Sequence, residues 1–341
     1  MLSISSFIDR TFATLTGLQE LYGDGWGEPR LLEQLLGRIA HFDDPKPIDV
    51  HFSPGRRTWR GNHLYEGWFE SPDMSLPLPA ESRTAYFQLL LPPDPFDPNP
   101  PPLCIHLAGT GDTSYASRRR LAAPLAKKRG IAALILQNPY YGERRPNDQF
   151  WVALKEFTDQ LTMNIATVEE TRSLMQWFRE DGYDRLGVTG YSMGGIMAAV
   201  AAQVAPFQVA AIPCAAGDSP APTMLDSPLQ DIVDWEALAA DADGSIDPRT
   251  RLRELLDRLA VSHVGDPPET DSAIVLGAEN DAFIPPAEVE QLHHHWKGSE
   301  LRWLDASHIT GWTLHPGAIR DAIADAFDRL ENSQTSNRGT E

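Results

Sequence analysis

Gly190-Tyr191-Ser192-Met193-Gly194 sets a serine between two glycines, and a histidine, His308, stands far downstream in Asp305-Ala306-Ser307-His308. A serine hydroxyl is a poor nucleophile near neutral pH and needs a base beside it. Histidine titrates close to neutrality and can be that base. A carboxylate that orients the imidazole and stabilises its charged form completes a set able to transfer acyl groups through a covalent intermediate. Asp281, in Gly277-Ala278-Glu279-Asn280-Asp281, is the first choice for that acid. Asp218 is the second and Asp305 the third.

The pentapeptide gains meaning from its surroundings. Residues 185–189 read as a strand and 193–204 as an Ala-rich helix, so Ser192 sits on a strand-to-helix turn, as a nucleophile elbow requires. Glycines at both ends remove side chains that would collide where strand and helix come close. The helix start aims free N–H groups and its positive dipole end at a developing oxyanion. One oxyanion donor is expected from the Met193 N–H. The second is expected from Ala108-Gly109-Thr110-Gly111-Asp112, where Thr110 is the first choice and Gly109 or Gly111 the alternatives. That run lacks the lysine of a phosphate-binding loop.

These residues need a framework. Apolar runs at 103–107, 131–136, 185–189, 209–213, 273–277 and 301–304 read as strands. Helical patterns at 117–128, 150–179, 193–204, 287–296 and 316–330 alternate with them. Such alternation implies a mostly parallel central sheet with helices on both faces. With the order Ser, acid, His, it predicts an α/β-hydrolase fold. Two further strands are expected near 59–68 and 84–91, ahead of a proline-dense connector at 92–102. Phe7, Phe12, Leu15 and Leu18 recur at helical spacing and predict a docked N-terminal helix. Residues 1–102 thus supply N-terminal helices and the first strands, 103–217 the oxyanion loop and elbow, and 272–331 the acid and histidine. Residues 218–271 break the alternation and read as an inserted cap. Residues 332–341 are polar and read as a disordered tail.

Composition narrows the function. The 341 residues are 42% hydrophobic, ordinary for a globular protein, and carry a formal net charge of -19. Such a charge repels nucleic-acid phosphates and anionic lipid headgroups. No apolar run is long enough to span a membrane, and the N-terminal stretch lacks the pattern of a secretory signal or transit peptide. Cys104 and Cys214, both in apolar runs, read as buried reduced thiols, so the expected setting is cytoplasmic. His293, His294 and His295 point about 100° apart on a helix and do not converge on a metal. Arg118, Arg119 and Arg120 read as a solvated helix start, with an anionic substrate group as the alternative. Neither metal nor organic cofactor is implied.

Taken together, His106-Leu107-Ala108-Gly109-Thr110-Gly111-Asp112, the arginines after it, Asn138-Pro139 with Gly142, Arg145 and Pro146, and Gly187 to Gly195 around Ser192 resemble the abhydrolase domain-containing protein 18 family. The resemblance is best over about residues 103–215. It implies an α/β-hydrolase fold and a Ser-Asp-His triad, carried here by Ser192, Asp281 and His308. The expected function is hydrolysis of a carboxylic ester, of small-molecule or lipid-like acyl type, without nucleic acid or stable membrane insertion. Peptidase and acyltransferase chemistry use the same triad, and a non-catalytic binding protein could keep the fold. Tyr140, Tyr141, Trp312 and the segment after Asp218 are expected to line or cover the pocket, with Gly109 and Gly111 at its edge.

Overall fold

The structure is a computed structural model and describes residues 9, 20–58, 61–93, 99–241, 246–267 and 269–338. The docked helix read at Phe7, Phe12, Leu15 and Leu18 lies outside these residues, as does Trp59.

One ten-stranded sheet organises the chain. Its strands are β1 (His51–Phe52), β2 (Arg56–Arg57), β3 (His63–Glu70), β4 (Thr84–Leu91), β5 (Leu103–Leu107), β6 (Ala132–Leu136), β7 (Leu186–Tyr191), β8 (Ala210–Cys214), β9 (Ile274–Ala278) and β10 (Glu300–Leu304). The order is β1-β3-β4-β6-β5-β7-β8-β9-β10, with β2 also paired to β3. Strands β1 to β4 pair antiparallel and β4 joins β6 antiparallel. Every pairing from β6 through β5 to β10 is parallel. β7, at the centre, carries the elbow.

Strands β5 to β9 are buried on both faces and show no alternation in burial, whereas β3 alternates and β1 and β2 are exposed. Successive side chains still point to opposite faces. In β5, Leu103, Ile105 and Leu107 enter one cluster and Cys104 the other. The first cluster packs against α1 (Pro29–Ala40), α3 (Phe157–Glu180), α4 (Met193–Gln203) and α8 (Pro286–His295). The second packs against α2 (Ala116–Arg129) and α10 (Pro316–Arg338). Cys104 and Cys214 are buried and free, and burial pushes the Cys214 thiol up to about 12.

Between β8 and β9, α5 (Ala221–Leu225), α6 (Trp235–Ala240) and α7 (Pro248–Asp257) fold against the N-terminal part of the chain. The Trp26 indole donates to the Leu238 carbonyl at 2.9 Å, and its backbone N–H to Asp241 at 2.7 Å. Among the described residues no helix is long and apolar enough to cross a membrane.

Several boundaries differ from the sequence reading. The strand expected near 59–68 is β3, His63–Glu70. The helix expected from 150 begins at Phe157, where Glu156 and Asp159 form a reciprocal capping box. The final helix does not stop at Leu330 but continues to Arg338. Its polar last turns are held from outside: Arg185 pairs with Glu331 at 3.3 Å, and Gln334 donates to the Asp184 carbonyl at 3.2 Å. A polarity-based tail assignment is blind to such ties.

Candidate active site

Ser192 has φ 58° and ψ −125°, a backbone conformation that a non-glycine residue adopts only under constraint. The constraint is visible. A Cβ on Gly190 would stand 2.1 Å from the Gly194 carbonyl oxygen, and one on Gly194 2.7 Å from that of Leu107. Only hydrogen fits at either position. The Ser192 N–H is anchored to the Cys214 carbonyl of β8 at 2.9 Å. The side chain thus stands at the C-terminal end of β7, at the start of α4, whose first N–H groups have no intrahelical partner.

The Ala108–Asp112 loop follows β5, beside β7. Gly109 is required there, because a Cβ would fall 2.8 Å from the Tyr191 carbonyl oxygen. The Gly111 N–H faces the Tyr141 hydroxyl. Thr110 is exposed, with Oγ1 3.8 Å from Met193 Sδ.

Arg118 overturns the expectation of a solvated helix start. It is buried; its Nε donates to Asp112 at 2.8 Å, and its Nη1 to the carbonyls of His106, at 3.0 Å, and Leu136. It therefore clamps the ends of β5 and β6 to the loop. Arg119 reaches Gln88 at 2.8 Å. Sequence spacing shows a basic run but not which arginine turns inward.

His308 is not in a loop. It is the first residue of α9 (His308–Leu314), capped by Ser307. A seven-residue helix gives too short a periodicity to read. His308 Nδ1 meets Asp281 Oδ2 at 2.7 Å. The other oxygen, Oδ1, accepts the N–H groups of Phe283 and Ile284, both at 2.8 Å. Asp218 lies elsewhere: its carboxylate accepts from the backbone and hydroxyl of Ser262, at 2.8 and 2.7 Å. Asp305 accepts from Asn280 at 3.3 Å. The Tyr191 hydroxyl donates to the His308 carbonyl at 2.7 Å, which places the histidine against the residue just before Ser192.

Ser192, Thr110 and Met193 line one cavity of about 100 Å³. Ile165 and Val168 of α3 and Ile196, Met197 and Val200 of α4 form its apolar wall. Met224, Leu229, Leu256 and Leu259 face it from the 218–271 segment, and Tyr22, Ile39 and Phe42 from the N-terminal part. The last three carry no sequence signal for this role, since only the fold brings residues 22–42 there. The lining expected at Tyr140, Tyr141 and Trp312 is a correction. Tyr140 is buried, with its hydroxyl on Asp159 at 3.0 Å. Tyr141 is buried behind the Ala108–Asp112 loop, and Trp312 packs on the Tyr191 ring at 5.3 Å. All three support the site from behind. Gly109 and Gly111 likewise shape the loop without lining this cavity.

The family motif named Arg145, but Arg144 is the buried residue. It grips Glu170 through two oxygens, at 2.8 and 2.6 Å, and donates to the carbonyls of Ser82 and Gln137. His293 turns its ring to Ser299 Oγ at 2.8 Å.

A family model described as "Alpha/beta hydrolase domain containing 18" matches residues 19–247 and 245–329. The fold is similar to that of an acetyl xylan esterase from Paenibacillus sp. R4: 15% identity, 89% of this chain and 96% of that one, TM-score 0.59. It is also similar to acetyl xylan esterase 1 from Thermoanaerobacterium sp. JW/SL YS485, with 13% identity, 88% and 95% coverage and a TM-score of 0.55. A cold-adapted esterase from an Arctic intertidal metagenomic library matches at 14% identity, 81% and 99% coverage, TM-score 0.51.

Proposed function

Because the chain belongs to the alpha/beta hydrolase domain containing 18 family, with the α/β-hydrolase fold, we propose that it is a serine hydrolase that cleaves carboxylic esters through an acyl-enzyme. The observation that carries this reading is the 2.7 Å contact between Asp281 Oδ2 and His308 Nδ1, beside the strained Ser192 elbow.

With its Nδ1–H given to Asp281, the imidazole keeps the Nε2 lone pair for the serine proton. Ser192 Oγ bonds to the ester carbonyl carbon as its proton moves to Nε2. The oxyanion takes hydrogen bonds from the N–H groups of Met193 and Thr110; each such donor lowers the barrier by ~3 kcal/mol. Collapse breaks the bond to the alcohol oxygen, which leaves with the proton held by His308. A water then repeats the sequence in reverse and releases the acid. The apolar cavity at Ser192 suits an acyl chain, whose burial from water favours binding by ~0.8 kcal/mol per methylene.

Turnover of a series of acyl esters by the wild type, Ser192→Ala and His308→Ala tests the reading. Each variant is expected to lose at least ~10³-fold in kcat. Undiminished turnover in Ser192→Ala contradicts it.

A further inference from the structure

Asp9 is fully buried and reaches both halves of the acid–base pair from the far end of the chain. Its Oδ2 accepts the His308 N–H at 3.0 Å and the Ala282 N–H at 3.1 Å, and its Oδ1 accepts the Ile309 N–H at 3.0 Å. Two of these donors open α9 and have no partner within that helix. Ser307 Oγ serves the next one, on Thr310. The third bond is of a different kind. Ala282 belongs to the loop that carries Asp281, so one carboxylate clasps the acid's loop to the base's helix. The family match begins at residue 19, and Asp9 lies outside it.

The clasp also brings charge. Asp281 holds the ring of His308, and Asp9 holds its backbone. The Tyr191 hydroxyl bonds the same residue's carbonyl, while the Phe283 ring packs at a tilt against the imidazole, 5.0 Å between centroids. Asp305, three residues upstream, is turned to Asn280. Among the described residues, the carboxylates that touch His308 are thus those of Asp281 and Asp9. Both favour the imidazolium formed during proton transfer.

We propose that Asp9 is a positioning residue for the Asp281–His308 pair: it fixes the spacing of loop and helix, and its charge supports the protonated base. The proposal rests on the triad reading. A displacement of about 1 Å between catalytic groups can cost ~10²-fold in rate, so a clasp that sets this spacing acts on kcat before KM.

Asp9→Asn keeps the size and removes the charge; Asp9→Ala removes the clasp. Asp9→Ser, an uncharged helix-capping residue, replaces Asp9→Asn if the amide variant does not fold. Two readings are taken on each: the pH profile of ester turnover, and titration of the His308 ring by NMR, assigned by the signal lost in His308→Gln. Asp9→Ala is expected to lower kcat by about 10- to 100-fold with KM nearly unchanged. In Asp9→Asn the ring midpoint and the acidic limb of kcat/KM are expected to move to lower pH by about half a unit to one unit. Asp9→Glu is expected to bring the midpoint back. An unmoved midpoint in the uncharged variant, or an unchanged kcat in Asp9→Ala, overturns the proposal. The ring titration needs no turnover, so it judges Asp9 separately from the triad reading, which fails if Ser192→Ala keeps full activity.

Discussion

The hydroxyl of Tyr191 donates to the carbonyl of His308 at 2.7 Å, and the two rings lie 5.2 Å apart. The residue before Ser192 thus anchors His308. Gly311 makes room for this, since a Cβ there would stand 2.5 Å from the Tyr191 hydroxyl. Tyr191→Phe removes one buried hydrogen bond, worth ~1 kcal/mol, and keeps the ring contact. We expect kcat to fall by about tenfold with KM little changed. Steady-state kinetics on one ester checks this.

Chain-length preference follows from the cavity. Met224 is half-buried and faces it from the 218–271 segment. Met224→Trp fills that space from the side of the 218–271 segment. Hydrolysis of hexanoyl and octanoyl esters is expected to drop by about tenfold or more relative to acetyl ester, since each methylene denied burial forfeits ~0.8 kcal/mol. Relative kcat/KM across the acyl series is the measurement.

The order of elements and the turn at Ser192 were readable because they are local: glycines flank a turn, and apolar runs alternate with helical patterns. Asp281 was expected from its place after β9, and its carboxylate meets His308 Nδ1 at 2.7 Å, whereas Asp218 and Asp305 turn to Ser262 and Asn280. What escaped depends on the direction a side chain takes. Arg118 turns inward beside the solvated Arg120, and Arg144 is buried where Arg145 was named. Tyr140 and Tyr141 sit on a loop near the site yet point away from the cavity. Asp9 reaches His308 by a contact that no sequence spacing encodes.

Stability should depend on pH through His106. Burial, then the Arg118 charge, lowers its pKa to about 3. The unfolded chain takes up a proton near the ordinary value of about 6.5, and the folded one does not until about pH 3. Between these values the unfolded state binds more protons, so stability is lost as pH falls from about 6.5 towards 3. Melting temperatures over that window are expected to fall less steeply in His106→Phe than in the wild type.

Arg144 and Glu170 form an ion pair with both side chains fully enclosed. Removing one charge leaves the other buried without its partner, which typically costs 3–5 kcal/mol. Glu170→Gln is therefore expected to lower the urea midpoint markedly, with the slope of unfolding unchanged. Equilibrium denaturation reads both.

The central claim is that Ser192 is a nucleophile activated by His308. A fluorophosphonate probe followed by peptide mass spectrometry tests it most directly. We expect a single adduct on the peptide that carries Ser192, absent in Ser192→Ala and slowed by orders of magnitude in His308→Ala. An adduct on any other residue, or labelling of Ser192→Ala at the wild-type rate, would contradict it.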